Sequence, residues 1–141
     1  MYRIEIMDIK HYSELIMLWE NTPGVGVSGK DDSKASIKKF LEKNPNTCFV
    51  ATDKGKIIGT IMAGNDGRRG HIYHLMVTPE YRRNGIGEKL LKKAETGLKK
   101  EGIRKIFLTV FKTNKSGNGF WESVGYDVRK DLNYRDRIIS E

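Results

Sequence analysis

The chain predicts a mixed α/β domain, and three observations carry that reading. Tyr12, Leu15, Ile16 and Trp19 recur at helical spacing, as do Ile86, Leu90, Leu91, Ala94 and Leu98 further on. Between these stripes lie the short apolar runs Cys48 to Thr52, Ile57 to Ala63 and Ile72 to Val77, set apart by turn-forming residues as strands are. No linker, repeat or low-complexity segment breaks the 141 residues, so one domain is expected across 1–141.

In order, Arg3 to Met7 alternates as a first strand, and Asp8 stands where a helix cap would precede Tyr12 to Glu20. Pro23 ends that helix. A glycine-rich loop, Thr22 to Lys30, leads to a second helix marked by Ile37, Phe40 and Leu41, with Ser33 as its cap and Asn44-Pro45-Asn46 as its close. The next two strands are joined by Asp53-Lys54-Gly55-Lys56, a hairpin turn by length and composition. The polar loop Asn65 to Gly70 precedes the third run. A long helix follows, capped by Gly102, then a strand over Ile106 to Phe111 and a short helix over Phe120 to Val124, stopped by Gly125. The tail, Tyr126 to Ser140, has room for two short strands.

Composition narrows the function classes. No apolar run approaches the roughly 20 residues that cross a bilayer, and the N-terminus lacks the pattern of a secretory signal, so the expected location is the cytoplasm. The single cysteine, Cys48, cannot form an internal disulfide or a multi-cysteine metal site and reads as core; no metal is expected. A net charge of +8 favours anionic partners, phosphorylated small molecules and nucleic acid among them. With neither an aromatic RNA-binding signature nor a zinc pattern present, a nucleic-acid module ranks low.

Two glycine-rich segments invite comparison. Gly24-Val25-Gly26-Val27-Ser28-Gly29 has dinucleotide-binding spacing and, with Lys30, nearly that of a P-loop. A P-loop would continue with Ser or Thr to hold magnesium, but Asp31 stands there. Both motifs also follow a buried strand, whereas this segment follows a helix. The other segment, Arg82-Arg83-Asn84-Gly85-Ile86-Gly87, comes just after the strand Ile72 to Val77 and opens the long helix. Unpaired backbone N–H groups and the positive end of the helix dipole then converge on one point, the arrangement that holds a pyrophosphate. Arg82 and Arg83 add charge-assisted bonds.

With Leu75, Val77, Pro79, Arg82, Gly85 and Gly87 in register, the sequence resembles the general-control-related N-acetyltransferase (GNAT) superfamily, whose motif is Arg/Gln-x-x-Gly-x-Gly/Ala after a Leu-x-Val-x-Pro strand end. Asn114, Trp121, Gly125 and Tyr126 match a second family pattern, and Asp66-Gly67-Arg68-Arg69-Gly70 suggests the small bacterial members. The resemblance implies a central mixed, mostly antiparallel sheet of six to seven strands, flanked by about four helices and splayed between the fourth and fifth strands. It also implies acetyl-CoA as co-substrate. Backbone groups of Leu75, Met76 and Val77 would pair with the pantetheine arm like an added strand, residues 82–87, including Asn84 and Ile86, would hold the pyrophosphate, and Asn114 would bond the arm.

The implied acceptor is a primary amine of a small molecule, protein N-terminus or lysine, used by a monomer or homodimer. For its proton, His71 and Tyr73 share one face of the fourth strand, and His71 is the better base because an ordinary histidine titrates near 6.5. His74 is expected on the opposite face, in a structural role. The family's usual tyrosine acid is replaced by Trp121, whose indole N–H donates a hydrogen bond but does not transfer its proton. That departure leaves two further readings, a degenerate acyl-CoA-binding or regulatory domain and, third, a basic nucleic-acid-binding module.

Overall fold

In the computed structural model, which describes residues 1–140, the alternating N-terminal run forms β1 (Arg3–Ile6). Asp8 caps a single 3-10 turn, Ile9–His11, by accepting from the Lys10 N–H at 2.8 Å, and that turn leads into α1 (Tyr12–Glu20). Ser33 caps α2 (Lys34–Lys43), its hydroxyl accepting from the Ser36 N–H. The strands β2 (Phe49–Asp53) and β3 (Lys56–Asn65) follow, then β4 (Gly70–Val77). Lys54 and Gly55 both have positive φ between the paired residues Asp53 and Lys56, the geometry of the tight hairpin the sequence calls for.

The long helix α3 (Ile86–Lys100) buries all five residues of its predicted stripe, Ile86, Leu90, Leu91, Ala94 and Leu98. Each large aliphatic contributes about 2 kcal/mol relative to leaving it exposed. Close approach fixes where α3 starts: a Cβ added at Gly59 of β3 would meet Leu90 at 3.1 Å and the Met76 carbonyl at 3.2 Å. The remaining elements are β5 (Ile106–Phe107) and α4 (Lys115–Ser123).

The strands form one sheet in the order β1-β2-β3-β4-β5, antiparallel except for the β4–β5 pair. It is a mixed sheet of the expected kind, but with five strands where six to seven were expected. The expected fifth strand, Ile106 to Phe111, keeps only two residues, and the tail contains no strand among its described residues. A strand exists through its ladder, and the tail's alternating apolar residues, Val128, Leu132, Tyr134 and Ile138, are exposed with no ladder among the described residues.

The chain divides into two compact units, Met1–Thr109 and a smaller one beginning at Val110. In the first, the helices α1 and α2 cover one sheet face around Leu15, Trp19, Ile37, Met62 and Met76, while α3 packs on the other. Cys48 is buried there and its thiol is pushed up to about 12, so it is an inert core residue. In the second unit, α4 begins earlier than the expected Phe120, because Asn114 caps it.

Candidate active site on the fourth strand and the third helix

The strands β4 and β5 meet only at Gly70–Ile106 and His71–Phe107. Beyond His71, then, β5 takes none of the bonds on the outer edge of β4. The other edge pairs with β3 to its end: Thr78 N–H bonds the Ile58 carbonyl at 2.8 Å, and alternation turns the backbone groups of Val77 outward. Met76 faces β3 opposite Thr60 and places its side chain in the core. The splay implied by the family resemblance is present, with Leu75 and Val77 along it.

A bulge interrupts β4 just before this edge. Thr60 pairs with Met76 and Met62 with Tyr73, so His74 and Leu75 together oppose Ile61 alone. His74 takes the extra residue's left-handed conformation, φ +51°. This corrects the expected orientation of His74. Instead of leaving on the face opposite Tyr73, its ring turns toward α1 and stacks on Trp19 at 4.3 Å, with a 2.8 Å contact from Nε2 to the Asp32 carboxylate. Burial pushes Asp32 upward, but bonds from His74 and the Ser28 N–H outweigh it and hold the carboxyl below its ordinary value.

Past β4, the turn Pro79–Tyr81 leads into residues 82–85. Arg83 and Gly85 both have positive φ, 65° and 75°. No side chain caps α3, and a Cβ at Gly85 would meet nothing within 4 Å. The glycine therefore serves conformation and open approach, not packing. Asn84 braces the loop by donating to the carbonyls of Tyr81 and Arg82, and Arg82 Nε donates to the outward Val77 carbonyl at 3.0 Å. Tyr81 is tied to Asp53 of the β2–β3 hairpin at 2.6 Å. With Ile86 buried and Gly87 in the first helical turn, the residues named for the pyrophosphate form one continuous cradle that fits an anion.

His71 and Tyr73 do share a face, with ring centroids 4.2 Å apart. Phe107 meets His71 edge-on at 4.6 Å, and Phe40 of α2 meets Tyr73 at 5.8 Å. Burial lowers the His71 pKa below the usual histidine value, and its Nδ1 is buried without a hydrogen-bond partner. Such an imidazole is neutral at pH 7 and able to accept a proton.

Asn114 and Trp121 lie in the second unit. The Asn114 Oδ1 accepts from the Gly117 N–H at 2.9 Å, so this oxygen is committed to capping α4 and only the amide NH₂ is left to donate. The Trp121 ring sits edge-on to Phe120 at 5.2 Å and to Tyr126 at 4.9 Å. Sequence reasoning missed the Asp32–His74 contact, which joins residues 42 apart and has no local signal. Among the described residues, no group of three or more His, Cys, Asp or Glu side chains could hold a metal ion, and no helix is long and apolar enough to cross a membrane.

Comparison with known proteins agrees with this geometry. A family model described as acetyltransferase (GNAT) family matches residues 13–126. An acetyltransferase of Yersinia pestis (strain Pestoides F) is 30% identical over 136 residues, covering 96% of this chain and 95% of that protein. Among solved structures, the PaiA N-acetyltransferase from Thermoplasma acidophilum, in complex with coenzyme A, superposes with a TM-score of 0.80 at 22% identity, covering 92% of this chain and 91% of that one. An acetyltransferase from Clostridium acetobutylicum with acetyl-CoA gives 0.74 at 20% identity and 96% coverage of both chains. At those identities the structures bear on the fold.

Proposed function

The chain belongs to the acetyltransferase (GNAT) family of acyltransferases, and from that premise we propose that it moves an acetyl group from acetyl-CoA directly to a primary amine. The observation that carries the reading is the open outer edge of β4 running into an uncapped, left-handed helix start at Gly85. A strand edge suits the amide groups of a pantetheine arm, and the helix start suits its pyrophosphate. The family match runs through both compact units, which supports treating them as one acetyltransferase domain. Acetyl-CoA is a cytoplasmic metabolite, and the reaction belongs there.

Acetyl-CoA supplies a thioester whose carbonyl carbon accepts the amine nitrogen. Residues 82–87 hold the pyrophosphate, with the Arg82 and Arg83 guanidinium groups adding charge. Outward amides among Leu75 to Val77 hold the arm and stabilise negative charge developing on the carbonyl oxygen. His71 takes the proton that an ammonium with a pKa of about 10 must lose, with Tyr73 beside it. As the new C–N bond forms, the C–S bond breaks and the thiolate leaves, and the second N–H proton that the amide nitrogen sheds passes to the departing thiolate or to water. A thiol with a pKa near 8.5 leaves without an acid, so Trp121 need not donate a proton.

The test is a panel of primary amines, including small polyamines, amino acids, aminoglycosides and peptide N-termini, incubated with acetyl-CoA while free thiol is followed. Amine-dependent thiol release with a stoichiometric acetylated product is the expected result. Tight acetyl-CoA binding with no amine acetylated would establish the acyl-CoA-binding reading, which the tryptophan in the usual tyrosine position favours.

A further inference from the structure

The bulge in β4 poses a physical question. A left-handed backbone strains a residue with a Cβ, so the contacts around His74 are what hold it at φ +51°. Three contacts do so. The Thr60 hydroxyl donates to the His74 carbonyl at 2.7 Å and itself accepts the Trp19 indole N–H at 3.1 Å. Trp19 also stacks on the imidazole. The third contact, Asp32 on His74 Nε2, is the one that reaches outside the core, and both side chains are only 10% exposed.

Asp32 is the end of a closed ring in the α1–α2 loop. Its second carboxylate oxygen accepts the Ser28 N–H at 2.9 Å, its own N–H donates to the Ser28 carbonyl at 2.9 Å, and its carbonyl accepts the Tyr12 hydroxyl at 2.7 Å. The Ser28-to-Asp32 segment is thus fastened to α1 on one side and to the bulge of β4 on the other. Directly after the bulge comes the open edge at Leu75 and Val77.

We propose that Asp32 and His74 are positioning residues for acyl transfer: their contact holds the α1–α2 loop on the face of β4 that carries His71 and Tyr73, where the acceptor amine gives up its proton, in register with the strand edge that holds the thioester. The proposal rests on the acetyltransferase reading for its catalytic meaning, and on the loop-to-bulge contact for its physical content. Neither residue touches the reacting atoms. What they fix is the relative placement of the two substrates' supports, whose misplacement by an ångström costs about 100-fold in rate.

Three variants separate the parts. Asp32→Ala cuts the loop from the bulge. His74→Gly also removes the contact but adopts positive φ without strain, whereas His74→Val resists it. With an amine found by the screen, Asp32→Ala and His74→Gly should each raise the amine KM at least tenfold and leave the acetyl-CoA Kd within threefold. His74→Val should in addition weaken acetyl-CoA at least tenfold. Amide exchange provides a readout that needs no turnover. In the wild type, acetyl-CoA should slow exchange in residues 28–32 and 75–77 together, and in Asp32→Ala only in 75–77. If wild-type protein acetylates nothing but shows this paired protection, the catalytic reading fails and the coupling stands. An unchanged amine KM in Asp32→Ala with paired protection intact overturns the proposal. So does equal weakening of both substrates with protection lost throughout the chain, which is what a purely structural contact would give.

Discussion

The two glycine-rich segments of this chain have similar spacing and opposite fates. Within Gly24–Gly29 two backbone donors are turned onto the chain itself: Val25 N–H bonds the Thr22 carbonyl and Ser28 N–H the Asp32 carboxylate. Asp32 occupies the position of an anion, so the loop has its own negative group built in. At Arg82–Gly87, one turn beyond the end of β4, φ turns positive at Arg83 and Gly85, and α3 starts with no side-chain cap. Glycine spacing alone does not separate the two segments. The element that the glycines introduce, and whether an acid of the chain already holds an amide there, does.

The largest expected effect breaks this contrast directly. Gly85→Glu puts bulk and negative charge on the open side of the cradle and should weaken CoA more than 100-fold by calorimetry, while thermal unfolding shows the fold retained. Gly29→Glu, also into open space, should leave the affinity within twofold. Gly85→Asn, which tolerates left-handed backbone and adds no charge, should fall between them. Equal losses at 29 and 85 would dissolve the distinction.

On the catalytic strand, His71→Ala should lower kcat/KM by roughly 100-fold, within the range of a general base. Trp121→Phe, which keeps a ring and deletes the donor, should cost under about tenfold. Because burial lowers the His71 pKa, protonation disables it only below the usual value. The enzyme's own limb should accordingly rise with pH at a midpoint under about 6.5, be flat above it, and vanish in His71→Ala. A Trp121→Phe loss as large as that of His71→Ala would mean that the indole orients the thioester.

The smallest effect belongs to Asn114→Ala. Losing the α4 cap should cost about 1 kcal/mol of stability, read from denaturant unfolding, together with a weakening of acetyl-CoA by about fivefold if the amide reaches the arm. A stability loss without any change in affinity would leave Asn114 as a cap alone.

The sequence by itself was enough for whatever acts within a turn or two of chain. The buried stripe of α3, the Ser33 cap and the Lys54-Gly55 hairpin all depend on neighbours a few positions away, where periodicity and cap chemistry operate. The same locality explains the errors. The strand pattern at Ile106 to Phe111 and in the tail says nothing about whether a ladder partner exists, and β5 keeps two residues. His74 was misplaced because strict alternation has no room for an extra residue, whereas the register of β4 on β3 requires one. Only the tertiary structure could decide these points. Strand register, the β4–β5 splay and the Asp32–His74 contact are made between residues far apart in the chain, which come together only after it has folded.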